Sequence, residues 1–395
     1  MLPEGWKISK LGEISRITTG STPPTKNESF YYGDILFITP ADLGENKYVT
    51  QTERTLSSLG AECTRLIPKG SVLFSCIGTI GKIGINKEDS ATNQQINSLF
   101  PNENNNSDFI YYSLILYKPS INNLASKQAV PIINKKTFSN VPILIPPLPE
   151  QKKIAAILST WDRAIEGTEK LLANSQQQKK ALMQQLLTGK KRLPGFTGEW
   201  KFTTLDSLTD QINNGLNYDS KTTSGLPVTR IETISLGKID FSKIGYAPDN
   251  DKTRNFKLES GDILYSHINS IDHIGKVSYY NHEKDLYHGM NLLNIRTNKK
   301  NSSCYLYYIF QSHIGKKFAV THAKSAVNQA SISISDLKMF LLKMPPLPEQ
   351  KTIAAVLSTA DEEITAIEAD LARLRQEKKA LMQQLLTGKR RVKVD

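Results

Sequence analysis

From Ile154 to Leu186 the side chains on one line of the chain step forward by four and three residues. They are Ile154, Leu158, Trp161, Ile165, Thr168, Leu172, Ser175, Lys179, Leu182 and Leu186. Steps averaging 3.5 residues define a coiled-coil seam. The same register returns at Ile353, Leu357, Ala360, Ile364, Ile367, Leu371, Leu374, Lys378, Leu381 and Leu385. Neither run contains proline, and Gly189 and Gly388 stand where a C-cap glycine belongs. Upstream, Pro-Pro-Leu-Pro stiffens each approach and puts Glu150 and Glu349 in the first turn, where a negative charge is favourable. Two long helices are predicted, each of about 37 residues and roughly 55 Å at 1.5 Å per residue.

The helices are copies. Pro146–Arg192 recurs at Pro345–Arg391, displaced by 199 residues without a gap, and 32 of the 47 paired positions are identical. One such helix cannot bury its seam alone, but two matched seams in one chain can pair. Thr168, Ser175, Lys179 and Lys378 interrupt the apolar line; they either set register or face another subunit.

What separates the copies reads as mixed α/β with many short strands. Ser71–Ser75 and Asp262–Ser266 are matching apolar strands, and Val141–Ile145 and Met339–Lys343 are matching runs before the proline turns. Asp108–Tyr117 and Ser303–Gln311 read as short helices. The expected division is a globular domain over 1–148, a helix over 149–190, a second domain over 191–347, a second helix over 348–389 and a tail over 390–395. The fold class is α+β: two tandem mixed α/β domains, with the helices forming an antiparallel intramolecular coiled coil of pseudo-twofold symmetry. Outside their landmarks the two domains diverge sharply.

Composition narrows the setting. The 395 residues carry a net charge of +12, with 22% charged and 39% hydrophobic residues. No segment is a dense polybasic tail, so the positive charge is spread. Nucleic acid is the leading partner for such a surface, and a merely basic soluble protein is the alternative. No apolar run approaches the roughly 18 residues of a membrane span. Cys63, Cys76 and Cys304 lack Cys-x-x-Cys spacing, and Met-Leu-Pro-Glu-Gly-Trp-Lys is no signal peptide. A reduced, cytoplasmic protein is the simplest account.

Catalytic signatures are missing. There is no Gly-x-x-x-x-Gly-Lys-Ser/Thr phosphate loop, and Glu259 is followed by Ser260-Gly261 rather than x-Lys. The glycines of Gly78-x-x-Gly81-x-x-Gly84 suit tight turns or a backbone approach to phosphate. All six histidines lie between His267 and His322, at spacings too loose for a zinc site. No catalytic residue and no metal ligand is assigned.

Pro-Pro-Leu-Pro-Glu-Gln-Lys-x-Ile-Ala at the start of each helix and Leu-Met-Gln-Gln-Leu-Leu-Thr-Gly-Lys at its end resemble the constant regions of type I restriction–modification specificity subunits. Thr19-Gly20-Ser21-Thr22-Pro23, Gly78–Gly84 and Thr92–Asn97 are similar to that family's target-recognition domains. The resemblance covers essentially the whole chain. It implies a non-catalytic subunit in which two recognition domains each read one half of a split site in double-stranded DNA. The helices dock two adenine-methylating modification subunits, which two restriction subunits join in the nuclease. S-adenosylmethionine, ATP and Mg belong on those partners, and no cofactor on this chain. The amino-methyltransferase signature, Asn/Asp-Pro-Pro-aromatic, is accordingly missing here. The second domain departs from the pattern, with Asn213-Asn214-Gly215-Leu216 for Thr18-Thr19-Gly20-Ser21 and Ile271-Asp272-His273 inserted.

Side chains suited to reading DNA follow from this. The first domain offers Gly20, Ser21, Thr22, Lys82, Asn93, Gln94, Gln95 and Lys127. Gln94 and Gln95 suit either adenine or the backbone of their own loop. The second offers Asn213, Asn214, Arg230, His267, Asn269, Lys276, Lys324, Asn328 and Gln329. Lys82 matches Lys276 and Lys127 matches Lys324, a pattern suited to phosphate contacts or to plain surface charge. On the helices Gln151, Lys180, Gln184 and Gln185 recur as Gln350, Lys379, Gln383 and Gln384. They are the partner-docking candidates, and recent duplication would preserve them equally. The competing function is a coiled-coil scaffold without sequence-specific DNA binding.

Overall fold

Pro146-Pro147 and Pro345-Pro346 each release the chain into a helix of 39 residues, Leu148–Leu186 and Leu347–Leu385, in the computed structural model. The structure describes residues 2–44, 46–126, 128–326 and 329–394; for residues 325, 326 and 329 it describes the backbone. Both helices end at the last residue of the seam, four residues short of the spans 149–190 and 348–389. Gly189 and Gly388 adopt φ +71°, and beyond each helix end the N–H groups of Lys191 and Arg390 fold back to the carbonyls of Gln185 and Gln384, both at 3.1 Å. Only glycine takes that backbone without strain, so it terminates the helix.

Two compact units emerge, Met1–Glu169 with Ala369–Asp395, and Lys170–Glu368. Each therefore contains one globular domain and half of each long helix. In the first unit the central sheet has the order Ser15–Thr19, Ile96–Pro101, Val72–Ser75, Ile83–Asn86, Tyr48–Val49. A second sheet orders Thr55–Leu56, Tyr31–Ile38, Ser90–Thr92 and Leu66–Ile67. An antiparallel ribbon of Lys7–Lys10 with Pro142–Ile145 leads into the helix. Helix Ser107–Asn122 lies in the core, where Phe109, Tyr112 and Leu114 meet Ile154 and Leu158 of the first long helix and Met382 and Leu385 of the second.

The second unit repeats the plan in shorter strands. Its central sheet runs Thr209–Asn214, Leu293–Thr297, Ile263–Tyr265, Val277–Tyr279, and its ribbon pairs Lys201–Thr204 with Leu341–Met344. Helix Ser303–Gln311 replaces the tyrosine-rich helix, and Tyr305, Tyr308 and Phe310 pack with Ile353, Leu357, Leu186 and Leu187. Among the described residues no helix is long and apolar enough to cross a membrane.

The same clasp closes both units. Glu150, 2% exposed, accepts from the indole Nε1 of Trp6 at 3.1 Å and from Nε and Nη2 of Arg391, both at 2.8 Å. Glu349, fully buried, accepts from Trp200 Nε1 at 3.1 Å and from Arg192 Nε and Nη2 at 2.5 and 2.7 Å. A buried carboxylate is tolerable only when paired and hydrogen-bonded, and the planar guanidinium fork supplies both. Gln151 and Gln350, expected to dock partners, are 1% and 2% exposed. Gln151 accepts from the N–H of Asn106 and donates to the Pro146 carbonyl; Gln350 does the same with Ser302 and Pro345, all four bonds at 2.9 Å. They recur because they hold a short helix to a long one in each unit, which corrects the docking assignment.

The seam lysines are also spoken for. In the first unit Lys378 pairs with Asp162, which accepts from Tyr112 as well. In the second, Lys179 pairs with Asp361 at 2.5 Å, and Tyr308 donates to Asp361 at 2.8 Å. With Arg391 on Glu150, Lys378 on Asp162 and Arg375 on Glu169, partner numbers fall along the first unit, so its two helix segments run antiparallel. Arg192 on Glu349 and Lys179 on Asp361 give the same sense in the second unit. Of the polar seam positions, Lys179 and Lys378 thus fix register within their units and Ser175 donates to Glu363 at 3.3 Å, whereas Thr168 donates to the Ala164 carbonyl of its own helix.

His267 and His288, 7% and 2% exposed, sit in the second unit with burial holding both rings down to about 4. Each is neutral when folded, whereas a free imidazole protonates near 6.5. The unfolded chain therefore binds the extra protons, and stability present above about pH 6.5 is lost as pH falls toward 4. Thermal melts at pH 7 and pH 5 should show a lower midpoint for the second unit at pH 5, with a smaller drop in His267→Gln; equal drops would contradict the assignment. Separately, Arg192→Ala strands a buried carboxylate and should destabilise the second unit by about 3 kcal/mol in urea titration. Arg375→Ala breaks an exposed pair with Glu169 and should change stability by less than ~1 kcal/mol.

Candidate nucleic-acid interface

In the first unit four chain segments meet at one end of the strands. Gly20 and Ser21, just past Ser15–Thr19, donate to the carbonyls of Ile96 at 3.1 Å and Thr92 at 2.9 Å. The N–H of Asn93 reaches the Ile38 carbonyl at 3.1 Å, and that of Cys76 reaches Gln95 at 2.7 Å. Arg65, at the mouth of Leu66–Ile67, donates from Nη1 to the Thr19 carbonyl at 2.7 Å. Backbone bonds thus draw Ser21, Thr22, Arg65, Gln94 and Gln95 into one corner.

Not every candidate in that corner faces out. Gly20 is buried, and a Cβ there would stand 2.2 Å from the Thr92 carbonyl oxygen, so its role is close backbone packing, not base contact. Asn93 is 9% exposed, and its Nδ2 donates to Gln95 Oε1 at 2.9 Å. It shapes the loop instead of reading from it. Thr22 Oγ1 donates to Gln94 Oε1 at 2.6 Å, which leaves the Nε2 of exposed Gln94 as a donor. Lys82 is half-buried. Gly78 and Gly81, at φ +71° and +86°, form the turn between Val72–Ser75 and Ile83–Asn86. Lys127 lies outside the described residues.

The second unit builds the same corner from other residues. Leu216 donates to the His288 carbonyl at 2.8 Å, and a Cβ on Gly215 would stand 1.9 Å from the Gly289 carbonyl oxygen. Gly215 is thus the counterpart of Gly20. Asn213 and Asn214, before it, are exposed. Arg230 is half-buried, and its Nη2 donates to the Ser220 carbonyl at 3.0 Å. Asn269 donates to Ser266 Oγ at 3.1 Å.

One expected contact is corrected here. His267 is buried and its Nδ1 has no partner among the described residues, so it cannot reach a base from this position. Lys276, half-buried, donates its Nζ to the Ser235 carbonyl at 2.9 Å, which ties the side chain to that loop and leaves two donors of the ammonium. Lys324 is exposed, 3.7 Å from Asp336. Gln329 begins the strand Gln329–Ser331, its side chain outside the description, and Asn328 lies outside the described residues. Among the described residues no group of three or more His, Cys, Asp or Glu could hold a metal ion.

On the helices Lys180, Gln184, Gln185, Lys379, Gln383 and Gln384 are exposed. Matching cavities open beside them. The first unit has one of about 570 Å³ walled by Ile115, Pro119, Ile165 and Met382, with Lys379 and Gln383 at its edge. The second has its counterpart of about 340 Å³ lined by Lys180, Met183, Gln184 and Gln311, and a separate cavity of about 700 Å³ walled by Met183, Leu236, Ile271 and Val320. Leu236, Ile271 and Val320 are 67%, 46% and 57% exposed, large for apolar side chains. Sequence periodicity did not disclose these cavities, because their walls come from distant segments of each unit.

Comparison with known proteins adds a family. The model of the type I restriction modification DNA specificity domain matches twice, over residues 3–174 and 198–375. A putative type I restriction enzyme MjaX specificity subunit of Methanocaldococcus jannaschii is 43% identical over 194 residues, 48% of this chain and 46% of that protein. The match thus spans about half the length of that relative. The MjaVIII specificity subunit of the same organism is 24% identical across 99% of this chain and 94% of its own length. The EcoKI specificity subunit of Escherichia coli is 24% identical over 89% of this chain and 81% of its own. In fold, the S subunit of a type I restriction-modification system from M. genitalium superposes with a TM-score of 0.66 at 14% identity, covering 98% of each chain. A structure concerning complex assembly and conformational transition of the type I R-M system gives 0.61 at 20%, covering 98% of this chain and 99% of its own. With two copies of the specificity domain accounting for most of its length, the chain belongs to the type I restriction modification DNA specificity family.

Proposed function

We propose that the chain is the DNA-specificity subunit of a type I restriction–modification complex, non-catalytic by itself. Each unit reads one half of a split target, and the observation that carries this is the duplicated strand-end corner. Its scaffold is shared, through Gly20 and Gly215, while its polar residues differ: exposed Gln94 with half-buried Thr22 and Gln95 in one copy, exposed Asn213 and Asn214 in the other. A shared frame with divergent donors and acceptors suits sequence choice, since bases are distinguished by hydrogen bonds at their edges.

The finer arrangement belongs to the same reading. Two long helices with matched seams pair as an antiparallel coiled coil and set the spacing of the half-sites. At about 16 base pairs for roughly 55 Å, that helix length is an upper limit on the spacer, since domains overhang helix ends. Two modification subunits dock, one beside each repeated Lys-Gln surface (Lys180 and Gln184; Lys379 and Gln383) and its adjoining apolar cavity. S-adenosylmethionine is held by those subunits, and restriction subunits bring ATP and Mg. The complex works in the cytoplasm.

Co-expression with the modification subunit and genome-wide mapping of methyladenine should return a single bipartite motif. Removal of four or seven residues at the same level from both long helices should shorten the unspecified spacer and keep both half-sites; an unchanged spacer would refute the ruler. Affinity of the complex for target duplex should fall steeply and linearly in log–log form with salt. Salt-independent binding, or no binding, would favour the protein scaffold instead.

A further inference from the structure

Among the described residues Arg65 is the one arginine in the first unit's strand-end corner, and no sequence motif marks it. Its place is set by pairing: Leu66 lies opposite Ala91 and Ile67 opposite Ser90, so residue 65 falls beside the exit of Ser90–Thr92, where Gln94 and Gln95 begin. Arg65 is exposed, and among the described residues its guanidinium is held through Nη1 by the Thr19 carbonyl at 2.7 Å. That bond orients the planar group and leaves its Nε–Nη2 edge as a pair of parallel donors. Beside it, Gln94 and Gln95 each use Oε1 internally, accepting from Thr22 and Asn93. The corner therefore presents donors from three side chains, a demand for an acceptor-rich partner.

We propose that Arg65 is a specificity-determining residue that reads a guanine in the half-site of the first unit, given the DNA-reading function proposed above. Guanine shows two acceptors, N7 and O6, side by side in the major groove, and two parallel N–H groups of an arginine match them. A phosphate would accept from the same donors; what favours the base is the oriented fork, whose planar pair of donors is selective where a point charge is not. The second unit lacks the device. Ile67-Pro68-Lys69-Gly70-Ser71 corresponds to Leu258-Glu259-Ser260-Gly261-Asp262, with Gly70 and Gly261 both at positive φ, and Lys257 bridges Tyr287 as Leu66 pairs with Ala91. Phe256 then occupies the place of Arg65, half-buried with its ring 6.5 Å from His288.

The test uses the complex with its modification subunit. Methyladenine maps for wild type, Arg65→Ala and Arg65→Lys should differ at one guanine of one half-site, the other half unchanged. Preference for guanine there should drop roughly ten- to a hundredfold. Lysine keeps the charge but not the paired donors, so it should relax the same position. Binding of duplexes carrying 7-deazaguanine, which lacks N7, gives a readout that does not need methylation: the substitution should weaken wild type and leave Arg65→Ala unaffected. If both variants keep the wild-type motif, the proposal is overturned; Arg65→Ala then binding all duplexes more weakly, with a salt slope lower by about one that Arg65→Lys restores, would make Arg65 a phosphate contact. A wild-type map without a bipartite motif would instead sink the reading on which it rests.

Discussion

A carboxylate without water has to be answered by a cation, and in this chain the answer comes from far away in sequence. Glu150 opens the first long helix, and Arg391, which neutralises it, comes after the second. Glu349 opens the second, and Arg192 follows the first. Each unit is thereby closed only when both long helices contribute to it, and Trp6 or Trp200 ties the start of the globular domain into the same knot. Unpaired, either carboxylate would face a desolvation penalty of several kcal/mol, so the pairing selects which helix ends can sit together. The seam pairs Lys378–Asp162 and Lys179–Asp361 then hold the register that the clasps begin.

The division of labour follows from that constraint. Residues that close the units are repeated almost unchanged, because each performs an identical buried task twice: Glu, Gln and Arg at the helix ends, Lys along the seam. Residues at the strand-end corners are released from it. Gly20 and Gly215 keep their places because any side chain would collide with backbone, while the polar groups around them are free to differ. A protein that assembles by one set of positions and discriminates by another can change its target without losing its partners.

How much of this was readable beforehand varied with the range of the interaction. The long helices lie in local periodicity and in the repeat itself, and the structure has them as Leu148–Leu186 and Leu347–Leu385; that each compact unit joins one globular stretch to half of each helix does not. The paired tyrosine helices and the strands before the proline turns were legible for the same reason. The clasps were not, because nothing in a sequence joins Glu150 to Arg391 across 241 positions. That is also why Gln151 and Gln350 looked like surface: a repeated glutamine on a helix reads as a docking residue until its neighbours from other segments are in place. His267 and Gly20 failed as contacts on the same ground, since burial and backbone bonding are decided by tertiary neighbours. Arg65 carries no motif, because its meaning depends on which strand exit it stands beside.

Two equivalent frames carrying separate readers, as proposed above, should be interchangeable, and a chimera in which a second copy of residues 7–145 replaces residues 201–344, co-expressed with the modification subunit, puts this to the test by mapping of methyladenine. The expected motif is palindromic and bipartite, with the half-site of the first unit twice in inverted orientation. A folded, methylating chimera that keeps the original asymmetric motif would contradict it.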